Sequence, residues 1–220
     1  MVILSESRNR INIPQEQFLN NLKAGEHGCV FFSSKEEMRM IHFAFVKSGL
    51  ENNWGVVYAT ATESIDEVRN AMQRYGINTQ DYEKKEEEEG NGRSLIIIRG
   101  EDLYKNADNP DIENWINTTK SLSDMFISKG KKGVRVAADL SSYFLSRGLA
   151  EQWHKLEYEL ERKLSLPISI LCAYDARFPE VWDTDVLKYY LRINSESKEY
   201  VDAHSFAIYT LGEKSVIFTI

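Results

Sequence analysis

The segment Leu166-Pro-Ile-Ser-Ile-Leu-Cys-Ala-Tyr-Asp175 indicates the fold of this protein. Its apolar run is rich in β-branched residues, follows a proline and ends at a turn-forming sequence that contains a second proline. A run of this length, preceded by a periodic helix, is typical of a central parallel strand. Ligands of open α/β sheets bind beyond the carboxyl ends of such strands. We therefore expect Tyr174, Asp175 and Arg177 either to contact a ligand or only to form the turn after the strand.

The composition predicts one compact domain over residues 1–220. The chain has 220 residues, is 42% hydrophobic and carries a formal net charge of -7. A negative net charge argues against direct binding to nucleic acid. The absence of a long apolar run and of a signal sequence predicts a cytoplasmic protein without membrane contact. Cys29 and Cys172 lie in apolar runs, which favours two buried thiols over a disulfide.

Strand-like and helix-like segments alternate along the chain. This alternation predicts βαβ units and a mostly parallel sheet with helices on both faces, followed by a C-terminal β-hairpin. Residues 1–14 look like an arm or an edge segment, and residues 81–92 like an acidic, mobile loop. The predicted strands are 29–32, 54–60, 94–98, 133–140, 166–175, 206–209 and 216–219, and the predicted helices are 15–24, 35–49, 65–76, 109–130, 149–164 and 181–193.

Local signals mark the ends of the second predicted helix. Ser34 with Glu37 forms a capping-box pattern, as Ser64 with Glu67 does for the next helix. Acidic residues in the first turn repel an incoming phosphate, so the start of the second helix is a poor anion site. Gly49 is expected to cap the carboxyl end of the same helix.

Polar residues lie at or just after the carboxyl ends of four predicted strands. If the sheet is doubly wound, these residues share one edge, where a small ligand would bind. The candidate ligand-binding residues are Ser33, Ser34, Lys35, Thr60, Asp139, Ser141, Tyr174, Asp175 and Arg177.

The chain lacks the glycine-rich loop that wraps a nucleotide phosphate. Phe32-Ser-Ser-Lys-Glu-Glu stands where such a loop would be, with a lysine but no glycines. Asp139 follows an apolar strand, as the magnesium-binding aspartate of a nucleotide hydrolase does. A cap or turn role for Asp139 is the favoured interpretation, because no phosphate loop accompanies it.

No histidine or cysteine spacing matches a known metal motif, so we expect no metal and no other cofactor. His27, Cys29 and Cys172 could hold a metal if their two strands were neighbours. However, His27 and Cys29 lie at the amino end of their strand, away from the predicted ligand edge. No serine or histidine pattern indicates a nucleophilic enzyme, and no catalytic residue is predicted.

Several short motifs together resemble the MEDS domain, the sensory domain shared by regulators of methanogens and methylotrophs. The resemblance covers about residues 15–210. The motifs are Gly25-Glu-His-Gly-Cys-Val-Phe-Phe32 with its serine-rich turn, Phe45-Val-Lys-Ser-Gly-Leu50, Val134-Arg-Val with its following acid, Leu156-Glu-Tyr-Glu159 and Ile170-Leu-Cys-Ala-Tyr-Asp175.

The resemblance implies a three-layer RecA/KaiC-like fold with a degraded phosphate loop, in which the Cys172 strand lies between the Cys29 and Asp139 strands. It also implies archaeal or bacterial signal transduction through small-molecule sensing, with hydrocarbon derivatives as one ligand class. The acid after the fourth strand is more often glutamate in the family, and Tyr189 or Tyr190 replaces an expected histidine. The positions that match the family are His27, Phe32, Asp139, Glu159, Tyr174 and Asp175.

Three functional hypotheses follow. The first is a non-enzymatic ligand sensor that acts through a partner, such as a kinase or a transcription regulator, with self-association as a further expectation. The second is a KaiC-like ATPase or nucleotide switch that uses Lys35 and Asp139 in an unorthodox loop. The third is a ligand-free structural scaffold.

Overall fold

One eight-stranded sheet forms the centre of the protein. The structure is a computed structural model, and it describes residues 10–11, 15–83, 93–103, 112–163, 166–175, 177, 204–211 and 214–219. The strands are β1 (Arg10–Ile11), β2 (His27–Phe32), β3 (Gly55–Thr60), β4 (Leu95–Arg99), β5 (Val134–Ala138), β6 (Ile168–Asp175), β7 (Phe206–Leu211) and β8 (Lys214–Thr219).

The strand order is β1-β8-β7-β2-β6-β5-β3-β4. The strands from β7 to β4 in this order pair in parallel, and only the pairings of β8 with β7 and with β1 are antiparallel. The predicted mostly parallel sheet and C-terminal hairpin are therefore confirmed. The expected position of β6 between β2 and β5 is confirmed as well. Part of the predicted arm, β1, lies at one edge of the sheet.

Eight helices fall within the described ranges. Three of them, α4, α5 and α7, were not predicted, because each has six residues or fewer and its segment shows no hydrophobic period. The equally short α1 was predicted over 15–24 and ends at Asn20. The helix predicted over 181–193, with Tyr189 and Tyr190, and residues 84–92 of the predicted loop lie outside the described residues. The helices are α1 (Gln15–Asn20), α2 (Lys35–Glu51), α3 (Ile65–Arg74), α4 (Thr79–Glu83), α5 (Gly100–Leu103), α6 (Ile112–Ser128), α7 (Leu140–Leu145) and α8 (Ala150–Lys163).

Helices cover both faces of the sheet, as predicted. Alternate residues of each strand point to opposite faces. On β2, Cys29 and Phe31 join the core against α6, α7 and α8, whereas Val30 and Phe32 join the core against α1, α2 and α3. This three-layer arrangement explains why strands such as β2, β3 and β5 are buried along their whole length.

The two predicted capping boxes are present, but the predicted end of α2 is wrong. α2 continues past Gly49 to Glu51, and Asn52 is its C-cap. Gly49 instead allows a close approach to the sheet. A Cβ atom on Gly49 would lie 2.9 Å from the Arg135 side chain and 2.9 Å from Val56. The glycine therefore reflects packing rather than helix termination.

His42 makes the stability of the protein depend on pH. Its side chain is fully buried on α2, its ring contacts the Tyr58 ring, and neither ring nitrogen has a hydrogen-bond partner among the described residues. Burial lowers the pKa of His42 to about 3 from its ordinary value of 6.5. Below about pH 6.5, His42 binds a proton in the unfolded chain but stays neutral in the folded chain. The free energy of unfolding therefore falls as the pH drops below about 6.5.

When the pH is lowered from 7.5 to about 4.5, we expect the free energy of unfolding to fall by about 2–3 kcal/mol more in the wild type than in His42→Leu. Urea unfolding at the two pH values measures the difference. The variant at pH 7.5, where the histidine is neutral in both states, is the control for packing effects. Equal losses in the two proteins would contradict the prediction.

Candidate functional site

The carboxyl ends of β2, β6, β5 and β3 form one edge of the sheet, because these neighbouring strands are parallel. All nine predicted ligand-binding residues lie at or just after these strand ends, so the structure does bring the four segments together. Ser33, Ser34 and Lys35 follow β2, Thr60 ends β3, Asp139 and Ser141 follow β5, and Tyr174, Asp175 and Arg177 end or follow β6.

A carboxylate already occupies the amino terminus of α2. One Glu37 oxygen accepts hydrogen bonds from the backbone N–H groups of Ser33, at 2.7 Å, and Ser34, at 3.1 Å. The Thr210 hydroxyl lies 3.1 Å from the same oxygen. In phosphate-binding folds these backbone groups face the phosphate. Here the chain supplies its own anion at that position.

The lysine at the start of α2 also faces an acid. Lys35 Nζ lies 4.0 Å from Glu63 Oε1, and its side chain is 43% exposed. Glu63 is buried and forms a closer ion pair with Arg39. The two cations therefore neutralise one buried carboxylate beside the edge.

Asp139 holds the loop between β3 and α3. Its carboxylate accepts hydrogen bonds from the Ala61 N–H and from the Thr62 hydroxyl. It makes no side-chain bond to α7, the helix that it precedes. Burial raises the pKa of Asp139, while these hydrogen bonds act in the opposite direction. The contacts agree with the favoured prediction that Asp139 is a turn residue.

The remaining edge residues also contact the protein itself. Asp175 accepts hydrogen bonds from the backbone N–H and the guanidinium of Arg177, both at 2.9 Å, and Arg177 is 69% exposed. The Ser141 hydroxyl donates to the Ala173 carbonyl oxygen. The Thr60 hydroxyl accepts from the backbone N–H of Glu63 at 3.1 Å. These side chains stabilise the loops that follow the strands.

Tyr174 points away from the edge, into the layer beneath α8. Its side chain is fully buried and stacks on Phe31, with ring centroids 5.6 Å apart. The hydroxyl donates to Glu157 Oε1 at 3.1 Å and accepts from Trp153 Nε1 at 3.3 Å. Tyr174 therefore contacts a polar cluster inside the protein through Glu157.

That polar cluster is a group of four buried ionisable residues between β2, β6, β7 and α8. We call it the histidine–cysteine cluster. Its four donor atoms all lie within 4.8 Å of one another. His27 Nε2 is 3.3 Å from Cys172 Sγ and 3.6 Å from Glu157 Oε2. The His27 and His204 rings lie side by side, with centroids 4.2 Å apart. The members are His27, Glu157, Cys172 and His204.

Burial shapes the protonation of the cluster. It raises the pKa of Cys172 well above its ordinary value, and the nearby Glu157 raises it further. Burial also lowers the pKa of His204 well below its ordinary value, as does the neighbouring His27. Cys29 lies beside Cys172 on the next strand, and burial raises its pKa as well. Both cysteines are buried and free, as predicted.

Sequence reasoning missed Glu157 and His204. The acid of α8 carried over from the family was Glu159, which is half-buried, whereas Glu157 is 1% exposed and reaches His27. Two residues correspond to a rotation of about 200° around a helix, so the two acids face different ways. Glu157 lies four residues after the buried Trp153, and an acid on a core face was the available signal.

The placement of His204 depends on strand pairing. Phe206 pairs with Gly28, which sets the residues before β7 beside the start of β2. The backbone N–H of Ser205 donates to the His27 carbonyl oxygen at 2.6 Å. Phe32, another position that matches the family, points to the opposite face of the sheet.

A separate cavity of about 220 Å³ lies between α1, the second half of α2 and Tyr75. It is lined mostly by polar side chains, including Glu16, Lys47 and Glu51, and none of the predicted site residues lines it. Among the residues that the structure describes, no helix has the length and the apolar character needed to cross a bilayer.

Comparison with known proteins gives a family and a fold. Residues 26–188 match the family model described as MEDS, the MEthanogen/methylotroph, DcmR Sensory domain. Of two similar solved structures, both from Pyrococcus horikoshii OT3, PH0250 has a TM-score of 0.60 and 12% identity, covering 93% of this chain and 91% of that one. The KaiC-like protein PH0186 has a TM-score of 0.51 and 14% identity, covering 84% and 71%. No curated protein matches.

Proposed function

Because the chain belongs to the MEDS family of sensory domains, with a fold similar to KaiC-like proteins, we propose that it is a non-enzymatic sensor of a small organic molecule. The observation that carries this proposal is the Glu37 carboxylate at the amino terminus of α2. A phosphate would have to displace this carboxylate or lie against it, and two anions at one helix terminus repel each other. The site is therefore better suited to a ligand without phosphate.

The same contacts disfavour the ATPase alternative. Lys35 faces Glu63, so part of the charge that it would offer to a phosphate is already neutralised. Asp139 is hydrogen-bonded to Ala61 and Thr62, and these bonds would have to break before it could hold a magnesium ion. The nucleotide hypothesis thus requires that the Glu37 carboxylate be displaced, that Lys35 separate from Glu63 and that Asp139 lose both of its hydrogen bonds.

The proposed ligand-binding edge lies between the loops after β2 and β6. Phe32 pairs with Asp175, so the two loops start side by side. Ser33, Lys35 and Arg177 are exposed there and offer a hydroxyl and two partly neutralised cations to a small polar ligand, since Lys35 faces Glu63 and Arg177 pairs with Asp175. Tyr174 acts indirectly in this proposal, because it is buried one residue before Asp175.

Signalling requires that the ligand bind one of two conformations or assemblies more tightly than the other. The proposed output is a partner protein, such as a kinase or a transcription regulator, or a change in self-association. A ligand-free scaffold remains the third hypothesis, and it predicts no binding of any small molecule at the edge.

The first test is a calorimetric titration with Mg-ATP. We expect Mg-ATP not to bind to the wild type. Glu37→Gln removes the negative charge at the helix terminus, and we expect it to bind Mg-ATP weakly or not at all. Glu36→Gln is the matched control, since Glu36 lies in the same turn with its side chain 80% exposed. Micromolar binding to the wild type, about -8 kcal/mol, would overturn the sensor proposal in favour of a nucleotide switch.

The second test uses methanol and methylammonium as probes, because the family is named for methanogens and methylotrophs. Each has only two heavy atoms, so its binding free energy is limited to about -3 kcal/mol and its Kd to the millimolar range. Saturation-transfer NMR detects such weak binding. We expect transfer to at least one probe, reduced in Asp175→Asn but not in Asp124→Asn on the exposed face of α6. Unchanged transfer in Asp175→Asn would place the ligand elsewhere.

A further inference from the structure

We propose that the histidine–cysteine cluster is a binding site for one divalent transition-metal ion, of which Zn²⁺ is the best match. The site would lie on the face of the sheet below α8 rather than at the carboxyl edge. The proposal is therefore independent of the sensor function and stands or falls by itself.

The distances in the cluster are close to those of a tetrahedral site. With metal–ligand bonds of about 2.0–2.3 Å, neighbouring ligand atoms of a zinc site lie about 3.4–3.6 Å apart. His27 Nε2 is 3.3 Å from Cys172 Sγ and 3.6 Å from Glu157 Oε2. All four donor atoms lie within 4.8 Å, so side-chain movements of about 1 Å would complete the tetrahedron.

The chemistry of the donors also fits. Two imidazoles, one thiolate and one carboxylate are ligands that zinc accepts, and a thiolate selects against magnesium and calcium. The charges balance, because a thiolate and a carboxylate together neutralise one divalent ion. A neutral centre suits a site whose four residues are at most 6% exposed, since an uncompensated charge is costly to bury. Metal binding would release the thiol proton of Cys172.

Surrounding residues hold the donors in place, as in known metal sites. Tyr174 donates to Glu157 Oε1, and Trp153 donates to Tyr174, while the other Glu157 oxygen lies toward His27. Such outer hydrogen bonds orient ligating carboxylates. Ser205 fixes the neighbouring His204 against β2 through the His27 carbonyl oxygen. The site is thus supported by β2, β6, α8 and the start of β7.

Cobalt substitution is the direct test. Untagged protein is stripped with a chelator and titrated with Co²⁺, whose tetrahedral thiolate complexes show intense visible bands and a sulfur-to-cobalt charge-transfer band. We expect one ion per chain and displacement by Zn²⁺ with a Kd below about 10⁻⁷ M. At a thousandfold excess of zinc over Kd, the melting temperature should rise by about 10 °C.

Two pairs of variants locate the site. Cys172→Ala should lose the charge-transfer band and weaken metal binding at least about 100-fold, whereas Cys29→Ala, its buried neighbour, should keep both. If Cys172→Ala does not fold by circular dichroism, Glu157→Gln replaces it, because the amide still accepts from Tyr174. Its control is Glu159→Gln, on another side of the same helix. A missing tetrahedral spectrum, or equal losses within a pair, would overturn the proposal.

Discussion

Arg135→Ala is expected to lower the free energy of unfolding by about 4 kcal/mol, the largest effect of any side-chain truncation that we predict. The Arg135 side chain is fully buried in β5. It donates to the Ser48 hydroxyl at 2.9 Å and to the Phe45 and Leu22 carbonyl oxygens at 3.3 Å. Its truncation would leave a cavity and remove a hydrogen-bond donor from three buried oxygen atoms.

The guanidinium also packs between aromatic rings. It lies 4.9 Å from the centroid of Phe45 and 5.2 Å from that of Trp54. Burial lowers its pKa to about 10, so the group stays charged at neutral pH. Cation–π contacts of a desolvated arginine are worth about 1–2 kcal/mol. Arg135 therefore ties the chain after α1, helix α2 and strand β5 together.

Arg135→Met separates volume from hydrogen bonding. Methionine fills most of the space and removes the cost of a buried charge, so we expect a loss of only about 2 kcal/mol. Arg69→Ala is the surface control, because Arg69 is 43% exposed and pairs with Glu83. This substitution should lower the free energy of unfolding by less than about 1 kcal/mol. Urea unfolding measures all three. A loss for Arg135→Ala no greater than that for Arg69→Ala would contradict the prediction.

Gly133→Ala is expected to destabilise the protein by at least about 4 kcal/mol, and to reduce the yield of folded protein at 37 °C. A Cβ atom on Gly133 would lie 2.3 Å from the Pro167 carbonyl oxygen and 2.7 Å from the Trp54 ring. The Pro167 carbonyl cannot move away freely, because it accepts the Val134 N–H at 3.0 Å. The clash therefore falls on the backbone pairing of β5 with the segment before β6.

Gly130→Ala is the matched control three residues earlier. Gly130 has a φ of +73°, and nothing lies within 4 Å of the position of its Cβ atom. Its substitution should cost about 1–2 kcal/mol of backbone strain and no clash. Urea unfolding ranks the two variants. If Gly130→Ala were the more damaging, conformational strain rather than close packing would limit this segment.

These predictions depend on contacts between residues that are far apart in the sequence. Most of the secondary structure, in contrast, could be predicted from patterns among neighbouring residues. The helices α2, α3, α6 and α8 have long hydrophobic periods or capping boxes, which are properties of neighbouring residues. The helices α4, α5 and α7 are too short to show a period. The prediction that Gly49 ends α2 is wrong because the glycine is needed for close packing against the Arg135 side chain. Arg135 lies on β5, far from Gly49 in the sequence.

The sequence by itself determined the parallel three-layer fold, the loss of the phosphate loop and the polar residues at the carboxyl edge. Only the tertiary structure decided that Glu37 fills the amino terminus of α2 and that Tyr174 points inward to Glu157. Only the tertiary structure joined His27, Glu157, Cys172 and His204, which come from four separate segments. The physical reason is that strand alternation and helix period set which face a residue occupies, but strand order and register set which faces meet.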